Sequence, residues 1–294
     1  TGRREITLSD LQAEPDCQSL KEYLEKFALP LSAMQTREGL YAAARDFIHS
    51  LEGDGVRYVE VRFAPMQSVH PGLSCGQVLE SVLEGLLQAR RETGIDSRVI
   101  VCAMRHHPRE KNLEMMRTAR NYLGQGVCAL DLAGDEAAYP LKEFRQLFAE
   151  AKKLEFPFTI HAGECQSLEN VREAVELGAA RIGHGIALSK DPELMKTVGR
   201  LGIGLELCPT SNFQTRAASP ETYPLRKFLQ ARLAVSINTD NRTVSGTTLS
   251  KELELAARLS GGLGDERLFT ENAVRTAFLS GEEKEELLGK LEIS

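Results

Sequence analysis

Four polar clusters, His161-Ala-Gly-Glu164, Gly183-His184-Gly185, Cys208-Pro-Thr-Ser-Asn212 and Asn238-Thr-Asp240-Asn241, each close a short apolar run. They recur at intervals close to one strand-plus-helix unit, about 30 residues in a βα barrel. Parallel strands joined by helices bring all their carboxyl ends to one face. Polar groups following strand upon strand therefore open onto a common cavity, which constrains the fold more than any other feature of the chain.

The runs themselves read as strands: Tyr58–Phe63, Arg98–Cys102, Val127–Leu130, Phe156–Ile160, Arg181–Ile182, Ile203–Leu207 and Ala234–Ile237. Between them lie amphipathic stretches. In Val78–Leu87 the apolar residues fall at i, i+4, i+5, i+8 and i+9, a helical period, and Glu143–Leu154 and Leu225–Leu233 read the same way. Strands alternating with helices imply βαβ units and a parallel sheet. A doubly wound sheet would bind its ligand at a single switch point, so the fold class read from the chain is α/β, a (β/α)8 TIM barrel. Gly53-Asp-Gly55 and Gly261-Gly-Leu-Gly264 read as turns, so residues 1–294 form one domain. The strands found number seven where a closed barrel has eight, and residues 1–35 contain no convincing buried strand. Either the first strand is missing from this sequence or the barrel is unusual; the expectation is the former, with residues 1–35 as the lid and N-terminal region that follows the missing strand.

Composition narrows the functional class. The net charge of −6, with no basic block, argues against nucleic acid or an anionic membrane as partner. No apolar run is long enough to span a bilayer and the start has no signal-peptide pattern, so a cytoplasmic location is expected. The six cysteines are scattered without a CxxC pair, as reduced, mostly buried thiols would be.

Of the six histidines, His161 and His184 lie in the clusters and His106 and His107 follow another strand. A single His at a strand end is often only structural. His161 differs because Glu164 follows it through a tight Ala-Gly turn, pairing an imidazole with a carboxylate. Those are the parts of a zinc-hydrolase site, one ligand and one proton-transfer group. His184, between two glycines, has room for a ligand or another backbone beside it, or is simply a hydrogen-bonded His in a kinked strand end. Asp240 ends an apolar strand, where a carboxylate must be paired, hydrogen-bonded, metal-bound or capping the next helix; Asn241 could equally be that cap. Four such coincidences together point to an active site.

The chain resembles the adenosine deaminases of the zinc-dependent amidohydrolase type, and looks most like their bacterial members. The resemblance runs from about Leu20 onward and rests on Tyr58-Val-Glu-Val-Arg-Phe-Ala-Pro65, Met104-Arg-His106, Asp131-Leu-Ala-Gly-Asp-Glu136 and the four clusters. The H-x-E and P-C-x-x-C signature of the cytidine-deaminase-like zinc enzymes is not found. The resemblance implies hydrolytic deamination at C6 of a purine nucleoside, with one zinc ion per chain held by His161 and Asp240. It implies that His184 holds and deprotonates the attacking water and that Glu164 protonates ring N1. It further implies that the Gly134 N–H bonds purine N3, that Asn241 donates to N7 where many members carry Asp, and that Asp131 is a supporting or substrate-side carboxylate. Leu20–Phe27 resembles the family's lid helix, with Tyr23, Leu24 and Phe27 shielding the base and Met104 as a pocket wall; a core-facing helix has the same pattern.

One departure matters. The family's first strand carries a His-x-His pair supplying two further zinc ligands, and this chain has no His before His49. The missing strand and missing ligands are one segment, expected upstream of Thr1. The alternatives are a deaminase of another 6-aminopurine, such as adenine or a modified nucleoside, and a non-catalytic nucleoside-binding relative without a complete metal site.

Overall fold

The computed structural model describes residues 6–14 and 17–292; residues 1–5 and 15–16 of the N-terminal region, and 293–294, lie outside it. Among the described residues seven strands alternate with helices: β1 (Tyr58–Phe63), β2 (Asp96–Met104), β3 (Val127–Ala133), β4 (Thr159–Ala162), β5 (Arg181–His184), β6 (Gly204–Leu207) and β7 (Val235–Ile237). Neighbouring strands pair in parallel, in the orders β1-β2-β3 and β4-β5-β6-β7. The two runs join where Leu130 bridges Phe158 and donates its N–H to the Pro157 carbonyl at 2.9 Å. Pro157 has no N–H to contribute to a ladder. That is why β4 begins at Thr159 although its apolar run begins at Phe156. The α/β parallel architecture expected from the sequence is thus present. Among the described residues no strand pairs β7 with β1.

Local chemistry sets the helices. Cys75–Thr93 starts at Ser74, whose hydroxyl accepts from the Gln77 N–H while the Gln77 side chain accepts from the Ser74 N–H, and it stops at Gly94 in the left-handed region. Successive helices each press apolar residues against the outside of the strands: Leu79, Met115, Phe148, Val171, Val198 and Phe228 are fully buried in one continuous core. This leaves the inner side of the sheet to polar residues.

The N-terminal region departs from expectation. The stripe Leu20–Phe27 does not lie on one helix: a helix covers Leu20–Glu25 and a second covers Ala28–Ala33, with Phe27 between them. Pro30 cannot donate to the carbonyl four residues back, so a continuous helix would lose a bond at the junction.

Candidate active site

The two-residue period of a strand divides its side chains between the helix layer and the interior. Inside, Glu60 and Arg62 of β1, Asp131 of β3, Thr159 and His161 of β4, Arg181 of β5 and Glu206 of β6 meet one another. Arg181 reaches Glu60 Oε2 and Glu206 Oε1, both at 2.6 Å. Arg62 lies 2.8 Å from Glu206 Oε2 and 3.1 Å from Asp131 Oδ2. Asp131 Oδ2 accepts from His161 Nδ1 at 2.8 Å, and its other oxygen accepts the Leu132 N–H at 2.7 Å. Burial opposes each of these charges, but pairing outweighs it. Glu206 is held down at about 2 by Arg62 and Arg181, Asp131 well below the carboxylate range by His161 and Arg62, and His161 is raised by Asp131.

Above this network the chain turns sharply at the ends of β5 and β7. His184 and Asp240 both take left-handed backbone, at φ +60° and +53°. Such a conformation in a residue other than glycine costs of order 1–3 kcal/mol and persists only where the surroundings enforce it. Asn212 Nδ2 lies 3.0 Å from His184 Nδ1, and the Tyr223 hydroxyl donates to Asn212 Oδ1 at 3.2 Å. The other ring nitrogen, Nε2, stands 3.6 Å from Glu164 Oε2, while Glu164 Oε1 accepts the Thr215 hydroxyl at 3.3 Å. Burial pushes the Glu164 carboxyl above its ordinary range, and Asp240 adds to that, against His184 and His161. Asp240 Oδ2 accepts from Ser211 Oγ at 2.7 Å. The His161 and His184 rings are 5.0 Å apart, which Gly183 permits: a Cβ there would meet the His161 Cα and ring at 3.3 Å. A cleft of about 360 Å³ reaches Glu164, bordered by Leu20, Lys21, Asp135, Cys165 and Thr215. A larger surface cleft, about 490 Å³ beside Gln12 and Arg242, holds none of the residues singled out by sequence, so size does not locate the site.

The sequence model of the adenosine deaminase family matches residues 4–293. The chain belongs to the adenosine deaminase family. It is 43% identical over 291 residues to an adenosine deaminase of Enterococcus faecalis, covering 98% of this chain and 86% of that relative. Its fold is similar to that of an adenine deaminase from Arthrobacter aurescens, with a TM-score of 0.85 at 22% identity over 94% of this chain and 85% of the other. An amidohydrolase from Burkholderia ambifaria solved with bound zinc gives a TM-score of 0.81 at 23% identity, covering 88% and 73%. Adenosine deaminase family membership makes the chain a hydrolase.

The donors at the site of this adenosine deaminase family member suit a zinc ion. Because His161 gives its Nδ1–H to Asp131, Nε2 keeps its lone pair for a metal, the usual arrangement behind a metal-binding histidine. Ligand atoms of His184, Cys208 and Asp240 lie within 4.8 Å of one another. Cys208 is the weakest of these: burial, then Asp240 and Glu252, push its thiol up, and its Sγ–H points at the Glu206 carbonyl 3.7 Å away. Zinc takes thiolate, so the suitable donors are the imidazoles of His161 and His184 and the Asp240 carboxylate. The structure groups Asp240 with His184 directly, with His161 in the neighbouring position.

The other sequence candidates divide. Met104 and Gly134 are brought together, the Met104 methyl lying 3.6 Å from where a Gly134 Cβ would stand. Asn241 caps the helix Arg242–Ser245, accepting from the Val244 N–H at 2.9 Å, which leaves its amide NH2 free to donate. Tyr23 is buried with its hydroxyl 2.8 Å from Ser245 Oγ, and it packs with Cys17, Val244 and the half-buried Phe27 in a small cluster. Leu24 is half-buried. None of Tyr23, Leu24 and Phe27 borders the cleft at Glu164; Leu20 and Lys21 do. His106 and His107 stack edge to face on each other. Sequence reasoning missed Arg62, Glu206, Ser211, Asn212 and Thr215. Their signal was present: Glu60, Arg62, Arg181 and Glu206 are charges in strands otherwise apolar, Ser211 and Asn212 sit in the cluster after β6, and Thr215 follows shortly beyond it.

Proposed function

We propose that this chain catalyses hydrolytic deamination at C6 of adenosine and 2′-deoxyadenosine, adding water and releasing ammonia to leave inosine or 2′-deoxyinosine. The observation that carries this reading is Glu164, a buried carboxyl with a raised pKa, 3.6 Å from His184 Nε2 at the floor of a cleft. A carboxyl whose burial favours its protonated form is suited to give a proton to purine N1 as C6 becomes tetrahedral. His184 orients the attacking water and takes its proton at Nε2. For that, its own proton must sit on Nδ1 and be donated to the Asn212 amide oxygen. The Asn212 amide can turn to accept it because the Tyr223 hydroxyl serves as donor or acceptor. His161, oriented by Asp131, and Asp240, held by Ser211, would hold one zinc ion per chain. Bound there, zinc supplies the acidity that makes water a nucleophile near neutral pH. The Gly134 N–H and the free amide of Asn241 would read N3 and N7, with Met104 against the base. Asp131, fully buried on His161 and Arg62, supports the imidazole and does not face substrate. A cytoplasmic location suits the six free thiols.

The test is the loss of adenosine absorbance on the zinc-supplied protein, with inosine identified by chromatography. Turnover of adenosine well above that of adenine and N6-methyladenosine is the expected result. Preference for either of those would reassign the substrate. No turnover of any, with nucleoside still bound, would make the chain a non-catalytic binder.

A further inference from the structure

Glu136 lies beyond β3 in the loop that carries Gly134, and no step above uses it. Its carboxylate is buried, 3% exposed. Oε1 accepts the Gly163 N–H at 2.6 Å and the Asn170 side-chain N–H at 2.9 Å; Oε2 accepts the Cys165 N–H at 3.0 Å. Gly163 and Cys165 are the residues on either side of Glu164, so one carboxylate clamps the turn that carries it. The same turn is pressed from behind: at Gly163, with φ +84°, a Cβ would stand 2.6 Å from the Val171 side chain. By contrast the Glu164 side chain has only long contacts, 3.3 Å to Thr215 and 3.6 Å to His184. Its location is therefore set by its backbone. Three N–H groups converge on Glu136, and among side chains only a carboxylate offers two acceptor oxygens and no donor.

We propose that Glu136 is a positioning residue for the deamination: by holding the N–H groups on both sides of Glu164 it aims that carboxyl at the purine ring. The proposal rests on the reading of Glu164 as proton donor. It requires Glu136 to act through Glu164 and not through the metal site or general stability.

The experiment is a double-mutant cycle on the zinc-supplied chain, with Glu136→Gln, Glu164→Gln and both together, and Glu136→Asp alongside. Glu136→Gln is near-isosteric but turns an NH2 toward one of the two N–H groups. Misplacing a catalytic group by about an ångström costs on the order of a hundredfold in rate. The expected result is a kcat lower by about that factor, with KM, inosine affinity and zinc content within about threefold of the parent. In the Glu164→Gln background the same change should cost less than about threefold, because the group it aims is already gone. Glu136→Asp, which keeps both acceptors on a shorter arm, should recover part of kcat. Parental kcat in Glu136→Gln, an equal fold loss in both backgrounds, or loss of zinc would each overturn the proposal. Should Glu136→Gln not fold, Asn170→Ala removes one donor to Glu136 while leaving the carboxylate. A severalfold lower kcat at unchanged KM supports the proposal, and an unchanged kcat overturns it. Full turnover in Glu164→Gln alone would remove the underlying reading, and the proposal with it, independently of any Glu136 result.

Discussion

Glu164 and Asp240 stand within the same small space, and their surroundings give them different work. Glu164 is shut away from solvent beside an imidazole; Asp240 is exposed and tied to Ser211. Glu164→Gln should keep zinc, measured by elemental analysis, and lose about 10²–10⁴-fold in kcat, the range typical of a proton-transfer group. Asp240→Ala should lower the zinc content itself; unchanged metal would take it off the ligand set. Asn241 spends Oδ1 on the Val244 N–H, and on the proposed reading its amide NH2 is the atom that donates to substrate. Asn241→Leu should therefore lose about 1 kcal/mol of stability with the cap and weaken substrate binding as well. Asn241→Ser, which can still cap but cannot reach, should recover the stability alone, as compared by denaturant unfolding and KM. The sequence had allowed either role for Asn241, and the structure places the capping bond.

At the scale of elements, the helix Leu20–Glu25 shows why periodicity alone could not assign a lid. Its stripe pointed to one apolar face, but the break before Ala28 turns Phe27 onto Tyr23 and leaves Leu20 and Lys21 at the cleft. Tyr23 anchors the segment to the helix Arg242–Ser245 through Ser245. Tyr23→Phe should cost about 0.5–1.5 kcal/mol, the net worth of a buried hydrogen bond, with zinc content unchanged. A thermal midpoint equal to the parent's would show that the bond does not hold this segment down.

At the scale of the whole molecule, the inner side of the strands carries a network of ion pairs where barrels usually carry branched apolar residues. Glu206 is its centre, touching Arg181 of the neighbouring β5 and Arg62 of β1. Its carboxyl is lowered from an ordinary 4.5 to about 2, so the folded state binds its proton less readily than the unfolded chain. Stability from this group is therefore complete above about pH 4.5 and is lost as pH falls toward about 2. Glu206→Gln should cost about 1.5–3 kcal/mol near neutrality, since it leaves Arg62 to Asp131 alone and Arg181 to Glu60 alone, and should flatten the decline in stability across that acid window. Urea unfolding at a series of pH values measures both; a parallel decline in the two proteins would assign the acid sensitivity elsewhere.

Strand and helix alternation, and the gathering of His161, Glu164, His184 and Asp240 at one end of the sheet, were legible from the chain alone. Both follow from local rules, the period of apolar residues and the parallelism that βαβ units impose. What tertiary structure decided was which groups touch. Arg62 and Glu206 are separated by 144 residues, Tyr23 and Ser245 by 222, and no local pattern relates them. The tautomer of His161, the low pKa of Glu206 and the clamp on Glu164 all depend on such distant pairs. They arise because burial makes each charge costly until the fold brings it a partner, and the partner is known only once the strands have taken their places.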